Sequence, residues 1–448
     1  MGFETYGKNT GSAGGEELKR LDPRVFKVPI DRIRAGYYSD IYFTRYVEVL
    51  KKDNKHPWVL YQFFPRADAV IVGIDEALAI LRYGTGYYRD EDKAREIFQR
   101  ILETERKMQA ASYDVRMDEL MKLTKERWEL RRKLNDLWID KWNEIRVKAL
   151  YDGEEAKENE PIMTIEGDPT YFGYLETVLL GVIARATSTA TAVREVVKAA
   201  RGKPILFFSA RFDHYWVQAT DGYAALKAGA FGVSTDANAD YWGTESLGTI
   251  PHALIAAYDG STEAAALAFD RHISPHVKRI VLVDWENDCI GTTMKVIKAL
   301  YEHIMGEPFK PGITDPSPII GEGKGKIWGV RFDTSGSLRD VSVTPKDESS
   351  LGVCPELVWR ARQIFDENGL KDLKIIVSGG FDARKIDLFE RLQVPVDVYG
   401  VGSRLLRKKV DITADIVEVN GRPCAKVGRK KGDLSRLKEV PSDYWKGG

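Results

Sequence analysis

From Pro204 to Gly402 the chain repeats one pattern, a run of β-branched or aromatic residues followed by a stretch of helical periodicity. The runs are ILFFSA, AFGVS, IVLVD, IWGVRFD, IIVSG and VDVYGVG. Parallel neighbours cannot be joined by a tight turn, so short apolar runs separated by helix-length connections predict parallel strands with crossover helices. Further runs expected near Leu247 to Pro251 and Val341 to Val343 bring the total close to the eight strands of a TIM-type barrel. Counting alone also admits an unclosed sheet. The expected class is α/β, an irregular TIM-like (β/α) barrel over residues 166–410 with an α/β N-terminal domain over 25–165. The segment ADIVEVNGRPCAKVG breaks the repeat. It alternates apolar and polar residues around Asn420-Gly421, a two-residue hairpin signal, so residues 411–448 are expected to pack on the N-terminal domain and complete it.

Within the N-terminal part, residues 1–24 are rich in Gly, Ser and charge and read as a mobile tail, followed by an extended stretch from Val25 to Ile30. The segment WVLYQFFPR reads as a strand, and DEALAILRYG as a helix closed near Gly84. From about Asp90 to Leu150 the sequence is charged and helical, with Leu134, Trp138, Trp142, Ile145 and Ala149 spaced to face a core. Gly173 to Arg201 predicts another long helix. Gly306 to Lys326 carries Pro308, Pro311, Pro316 and Pro318 among glycines, a loop of the kind expected to cover an active site.

Composition removes several classes of function. The 448 residues hold 67 Lys+Arg against 67 Asp+Glu, so no broad basic field exists to neutralise nucleic-acid phosphates. No run of 18 uncharged apolar residues predicts a membrane span. Cys289, Cys354 and Cys424 form no C-x-x-C pair, which excludes a disulfide framework or a four-cysteine zinc site and suits a reducing cytoplasm. The start resembles no secretion signal, and Tyr6 stands where a myristoylation signal needs Ser or Thr. His272 and His276 have metal-ligand spacing, but Pro275 breaks their shared helical face, and no protein-held metal is expected.

Chemistry is expected where strands end. Ser378-Gly379-Gly380 and Gly400-Val401-Gly402-Ser403 follow two of the last apolar runs, where exposed backbone N–H groups can bind a phosphate. The same glycines also suit ordinary tight turns. Neither completes G-x-G-x-x-G, so a dinucleotide fingerprint is absent. Arg331-Phe332-Asp333-Thr334-Ser335 places a cation, a carboxylate and hydroxyls together, as a sugar phosphate requires, or as a plain ion pair supplies. Asp284, closing IVLVD, shares that geometry. Thr249 and His252 lie in G-T-I-P-H-A-L just after a strand candidate, where a neutral imidazole can act as base or nucleophile.

In order along the chain, LETVLLGVI, LFFSARFD, LGTIPHALI, IVLVD, VRFDTSG, IIVSGGFD and VYGVGS resemble the signature segments of nicotinate phosphoribosyltransferases, in the form found in archaea and related bacteria. The likeness runs from about Tyr37 to Pro423. It implies transfer of phosphoribosyl from phosphoribosyl pyrophosphate (PRPP) to the pyridine nitrogen of nicotinate or a related pyridine, with release of pyrophosphate, in NAD salvage. A noncatalytic or differently specific relative that binds a pyridine nucleotide or sugar phosphate is the alternative.

The resemblance also implies roles. Asp40-Ile41-Tyr42 matches the D-x-Y whose tyrosine stacks on the pyridine ring, often from a neighbouring subunit, so a homodimer or higher homo-oligomer with shared active sites is expected. Arg331, Asp333 and Ser335 would engage ribose and pyrophosphate, and Asp284 the ribose or metal side. Ser378, Gly379, Gly380, Gly400, Gly402 and Ser403 would hold the 5-phosphate, with Thr249, Arg211 and His214 among the substrate contacts. His252 matches the histidine that ATP phosphorylates, and Mg²⁺ is expected to accompany the pyrophosphate. The family carries two consecutive arginines after its first barrel strand, whereas this chain has Arg211-Phe212-Asp213-His214. Either Arg211 substitutes for the pair, the register shifts, or the acceptor is not nicotinate.

Overall fold

A computed structural model of the chain describes residues 19–241, 243 and 246–443, so the expected tail lies outside it up to residue 18. Of the remainder of that tail, Arg20 has its side chain buried and pairs with Asp75 at 3.0 Å. The chain divides at Ser188/Thr189 and Lys408/Lys409 into two compact units, one containing residues 19–188 and 409–443, the other residues 189–408.

The first unit is built on an antiparallel sheet. Its order is Arg422–Pro423, Ile412–Val419, Val59–Pro65, Met163–Gly167, Arg146–Ala149 and Lys438–Glu439. Every residue of Val59–Pro65 is buried, as a largely apolar run requires of a central strand, and its one amide side chain, Gln62, accepts from Gly432 N at 2.8 Å. The strand pairs with Ile412–Val419 from Val59↔Val419 to Pro65↔Ile412, so the C-terminal hairpin lies in this sheet. Asn420 and Gly421 take φ of 49° and 73°, the left-handed pair that a tight hairpin demands.

Helices α1 (Ile41–Lys52), α2 (Ile74–Gly84), α3 (Glu91–Tyr113) and α4 (Met117–Asp136) belong to this unit. The single helical stretch expected from Asp90 to Leu150 is instead a hairpin of α3 and α4 followed by β structure. Of the five residues expected on one helical face, only Leu134 is helical. Trp138 lies in strand Trp138–Asp140, Trp142 in a 3-10 turn, and Ile145 and Ala149 flank or end strand Arg146–Ala149. Aromatic and β-branched residues favour strands, and Trp138 meets Tyr88 across the pair formed with Gly86–Tyr88. Val25–Ile30 is likewise not extended. Asp22 caps a 3-10 turn at Pro23–Phe26, and a short helix starts at Ile30. Helix α5 (Glu176–Ala199) contributes its residues up to Ser188 to this unit and the rest to the other.

The second unit is a curled parallel sheet of β1 (Ile205–Phe207), β2 (Gly232–Val233), β3 (Ile280–Leu282), β4 (Gly329–Phe332), β5 (Lys374–Val377) and β6 (Val398–Val401). The spatial order is β3-β4-β5-β6-β1-β2. The first and last members of the repeat, β1 and β6, are therefore neighbours, while the edges β2 and β3 are consecutive in the chain. This cyclic order fits a sheet that curls. The run expected near Leu247 to Pro251 is not a strand, yet Leu247 N donates to Val233 O at 2.8 Å and Ile250 N to Ile280 O at 3.0 Å, one bond to each edge. Val341–Val343 is a turn held by Asp340, whose carboxylate accepts from Ser342 N, so it supplies no strand.

Helices α6 (Gln218–Lys227), α7 (His252–Ala257), α8 (Thr262–His272), α9 (Cys289–Met305), α10 (Pro355–Glu367) and α11 (Ala383–Arg391) fill the connections. The Pro/Gly segment from Gly306 to Lys326 follows α9 and precedes β4, so it lies at the amino ends of the strands. Gly325 N donates to Asp270 at the end of α8, and Pro316 packs on Gly369. A loop there cannot cover a site at the carboxyl ends, which corrects the expectation.

Candidate active site

Strand register decides which side chains meet. Paired residues in a sheet point to the same face, and that face alternates along each strand. Leu206, Ile280, Leu282, Gly329, Arg331, Ile376, Val398 and Gly400 fall in one phase. Leu206, Ile280, Ile376 and Val398 form a small apolar cluster with Phe208 and Leu247. Phe207, Phe332, Ile375, Val377, Tyr399 and Val401, all fully buried, are in the opposite phase. Continuing the first phase past the strand ends brings Phe208, Asp284, Asp333 and Ser378 over the apolar cluster. A polar layer thus sits on an apolar floor at the carboxyl ends, the place where α/β sheets bind ligands.

The contacts bear this out. Ser378 Oγ donates to Asp333 Oδ1 at 2.8 Å, and the Arg331 guanidinium lies 3.8 Å from Asp333 Oδ2. Burial draws the Arg331 guanidinium below its usual range against the opposing pull of Asp333 and Asp284, while Arg211 pushes it further down. Its Nε is buried with no hydrogen-bond partner among the described residues. A mostly buried cation with an unused donor is suited to an anionic ligand. Asp284 accepts from His252 Nε2 at 2.9 Å. The carboxylate is 9 % exposed and the imidazole 44 %, so the ring is held from the protein side and open on the other.

The four glycines divide into two kinds. Gly379 and Gly380 have φ of 84° and 75°, left-handed values that other residues reach only with strain. A Cβ on Gly379 would stand 3.2 Å from Asp333 Oδ1, whereas one on Gly380 would meet nothing within 4 Å. Gly380 therefore fronts open space. Gly400 and Gly402 have another cause. Their missing Cβ positions lie 2.7 Å from Phe208 Cε2 and 2.8 Å from Phe212 Cε2, so aromatic packing already requires them to be small. Ser403 begins only a 3-10 turn, Ser403–Leu406.

Arg211 and His214 are exposed in the turns after β1, with the Arg211 guanidinium 5.1 Å from the Phe212 ring and His214 Nδ1 accepting from Trp216 N. Ser335 bonds Ser337 at 2.9 Å. Thr249, Ser335 and Ser403 follow the strand ends but make no hydrogen bond to the Arg331–Asp333–Ser378 group among the described residues. Asp40 and Tyr42 belong to the other unit. There Asp40 N donates to Thr177 Oγ1 at 2.9 Å, and that hydroxyl donates to Asp40 Oδ2 at 3.1 Å.

Three groups escaped the sequence reading. Phe208 was visible only as one apolar residue in a strand. Lys385, in the first turn of α11 after Gly380, has its ammonium 4.3 Å from the Phe381 ring centre, and burial lowers its pKa. Glu176, the first residue of α5, accepts a hydrogen bond from the Tyr61 hydroxyl, and burial pushes its pKa up to about 7. No spacing rule marks a carboxyl that the fold keeps from water. Among the described residues no group of three or more His, Cys, Asp or Glu could hold a metal, and no helix is long and apolar enough to cross a membrane.

A family profile described as the N-terminal domain of quinolinate phosphoribosyl transferase matches residues 137–187. That stretch runs through strands Arg146–Ala149 and Met163–Gly167 into α5. A nicotinate phosphoribosyltransferase of Mycobacterium tuberculosis, pncB1, is 25 % identical over 301 residues, covering 66 % of this chain and 58 % of that protein. A nicotinate phosphoribosyltransferase of Bacillus subtilis is 26 % identical over 259 residues, 58 % of this chain and 45 % of the relative. The chain thus spans about half the length of these curated relatives. The crystal structure of a nicotinate-nucleotide pyrophosphorylase from Pyrococcus furiosus superposes with a TM-score of 0.65 at 27 % identity, covering 92 % of this chain and 85 % of that one. Human nicotinic acid phosphoribosyltransferase shares the fold with a TM-score of 0.55 at 17 % identity, over 86 % and 76 % of the two chains.

Proposed function

We propose that the chain is a member of the nicotinate phosphoribosyltransferase family, to which its relatives point, and that it transfers the 5-phosphoribosyl group of PRPP to the ring nitrogen of nicotinate or a close pyridine, in NAD salvage. The observation that carries this reading is the polar layer of Arg331, Asp333, Ser378 and Asp284 above one apolar floor, with Gly379-Gly380 fronting open space beside it. The same reading takes the curled sheet as an irregular TIM-like barrel, with Leu247–Ile250 bridging its edges.

In the reaction the pyridine nitrogen forms a bond to ribose C1 while the C1–O bond to pyrophosphate breaks, and the electron pair leaves with pyrophosphate. Positive charge develops on the sugar and negative charge on the leaving group. Asp333, fixed by Ser378, is placed to accept from ribose hydroxyls and to face the sugar's developing charge. Arg331 supplies its unused Nε–H and its charge to a leaving or 5-phosphate oxygen. The backbone around Gly380 admits phosphate oxygens that a side chain would exclude. Asp284 and Asp333 are hard oxygen donors of the kind Mg²⁺ shares with substrate phosphates, and they fit a metal that arrives on pyrophosphate better than one held by protein alone. Such an ion would offset charge on the leaving group.

Coupling to ATP runs through His252 in this reading. Asp284 accepts a hydrogen bond from Nε2–H, which leaves Nδ1 as the nitrogen with a free lone pair to act as nucleophile on the half-exposed ring. Attack on the γ-phosphate of ATP forms an N–P bond and releases ADP. Tyr42, 59 % exposed, is available to stack on a pyridine in a neighbouring copy of a homo-oligomer.

The test is direct. Protein incubated with PRPP, Mg²⁺ and nicotinate, with and without ATP, is expected to yield a mononucleotide and pyrophosphate. Absence of product from nicotinate, nicotinamide and quinolinate alike would contradict the proposal. His252→Ala is expected to abolish stimulation by ATP while slow transfer persists; unchanged stimulation removes His252 from that role. A second reading, a noncatalytic or differently specific relative, draws on the exposed Arg211-Phe212-Asp213-His214 turn in place of paired arginines. Calorimetric binding of a pyridine nucleotide without turnover would favour it.

A further inference from the structure

Glu176 stands where three elements of the first unit meet. On the strand Val59–Pro65, Tyr61 donates its hydroxyl hydrogen to Glu176 Oε2. On Ile412–Val419, Asp415 faces both residues, with Arg429 2.7 Å away holding its other side. From the start of α1, Asp40, Tyr42 and Tyr46 face it, and the Tyr46 hydroxyl is buried with no hydrogen-bond partner among the described residues. Asp168, which acts on Tyr46, is occupied by His56 at 2.6 Å. The groups that act directly on Glu176 are therefore phenols and carboxylates, and among the described residues no ion pair brings it a cation.

The next residue along α5 is Thr177, whose single hydroxyl both accepts from Asp40 N and donates to Asp40 Oδ2. That clasp fixes the start of α1 and hence the base of the exposed Tyr42 ring. Asp40 makes no capping bond to α1, and its carboxylate, besides taking the Thr177 hydroxyl, acts on the Tyr42 phenol. Ionising Glu176 beside Asp40 places like charges on the two ends of the clasp.

We propose that Glu176 is a positioning residue for the acceptor ring, which through its charge state sets how firmly the Asp40–Tyr42 segment is clasped to Thr177. The neutral acid, hydrogen-bonded to Tyr61, leaves the clasp intact. The carboxylate repels Asp40 and loosens it. Burial, with Asp415 and Asp40 adding to it, pushes the Glu176 pKa up to about 7 against the hydrogen bond from Tyr61, so the change falls near neutral pH. This rests on the reading that Tyr42 meets the pyridine.

Two measurements on the full chain test it, each comparing wild type with Glu176→Gln, which keeps the acceptor for Tyr61 and cannot ionise. In steady-state kinetics, KM for the pyridine is expected to rise roughly threefold or more in wild type between about pH 6 and about pH 8, with kcat little changed. Glu176→Gln is expected to hold the low-pH KM throughout. In hydrogen exchange, corrected for the intrinsic pH dependence, peptides spanning residues 36–44 are expected to lose protection at the higher pH in wild type only. Matching KM profiles in the two proteins together with matching protection overturn the proposal, as does a change confined to kcat. Protection that responds only in wild type, in a protein with no turnover on any pyridine, upholds the coupling and retires the enzymatic reading instead.

Discussion

Gly400 is small because the Phe208 ring stands 2.7 Å from where its Cβ would be. Gly400→Ala is expected to lower stability by roughly 1–3 kcal/mol through overpacking, and pairing it with Phe208→Ala should recover part of that loss. Urea unfolding of the single and double variants checks it; strict additivity would mean the two sites do not touch. Glu176 gives a prediction of opposite sense. Its pKa is raised from 4.5 to about 7, so its neutral form is favoured by folding. That contribution is complete below about pH 4.5 and is lost as pH rises through about 7. Glu176→Gln should therefore melt above wild type at pH 8 and level with it near pH 4.5, as read by thermal unfolding. Arg331, Asp333, Asp284 and His252 could be read from sequence because polar residues at the ends of apolar runs are conspicuous. Phe208, Lys385 and Glu176 could not, because their significance comes from burial and neighbours rather than from spacing.

Among the elements, the alternating runs and the Asn420-Gly421 hairpin were legible since each depends on local periodicity and turn chemistry. The stretch from Asp90 to Leu150 was not. Residues at helical spacing also meet strand requirements when they are aromatic or β-branched, and only the pairing of Gly86–Tyr88 with Trp138–Asp140 decides between the two. The α3–α4 turn carries Val115 at φ 55°, 73 % exposed, a strained conformation for a β-branched residue with little packing to offset it. Val115→Asn is expected to stabilise the hairpin by about 1 kcal/mol, because asparagine tolerates the left-handed region. Hydrogen exchange across residues 105–125 reads this directly, and a loss of protection would contradict it.

At the scale of the whole molecule, both chain ends of the first unit share one sheet, since Ile412–Val419 is bonded along the full length of Val59–Pro65. Ending the chain after Lys408 should expose Val59–Pro65 along one edge and remove the exchange protection of the amides bonded there, while those paired with Met163–Gly167 keep theirs; an unchanged exchange pattern would mean the C-terminal strand is dispensable. In the second unit, residues from Asp284 to Ser378, far apart along the chain, converge on one rim because a parallel sheet brings all its carboxyl ends together. The measurement closest to the central claim is calorimetric titration of PRPP with Mg²⁺ into wild type and Asp333→Asn. Saturable binding to wild type, weakened roughly tenfold by removal of one charged hydrogen-bonding group, is the expected result. Equal affinity in the two proteins, or no binding to either, would place the activated sugar somewhere other than this rim.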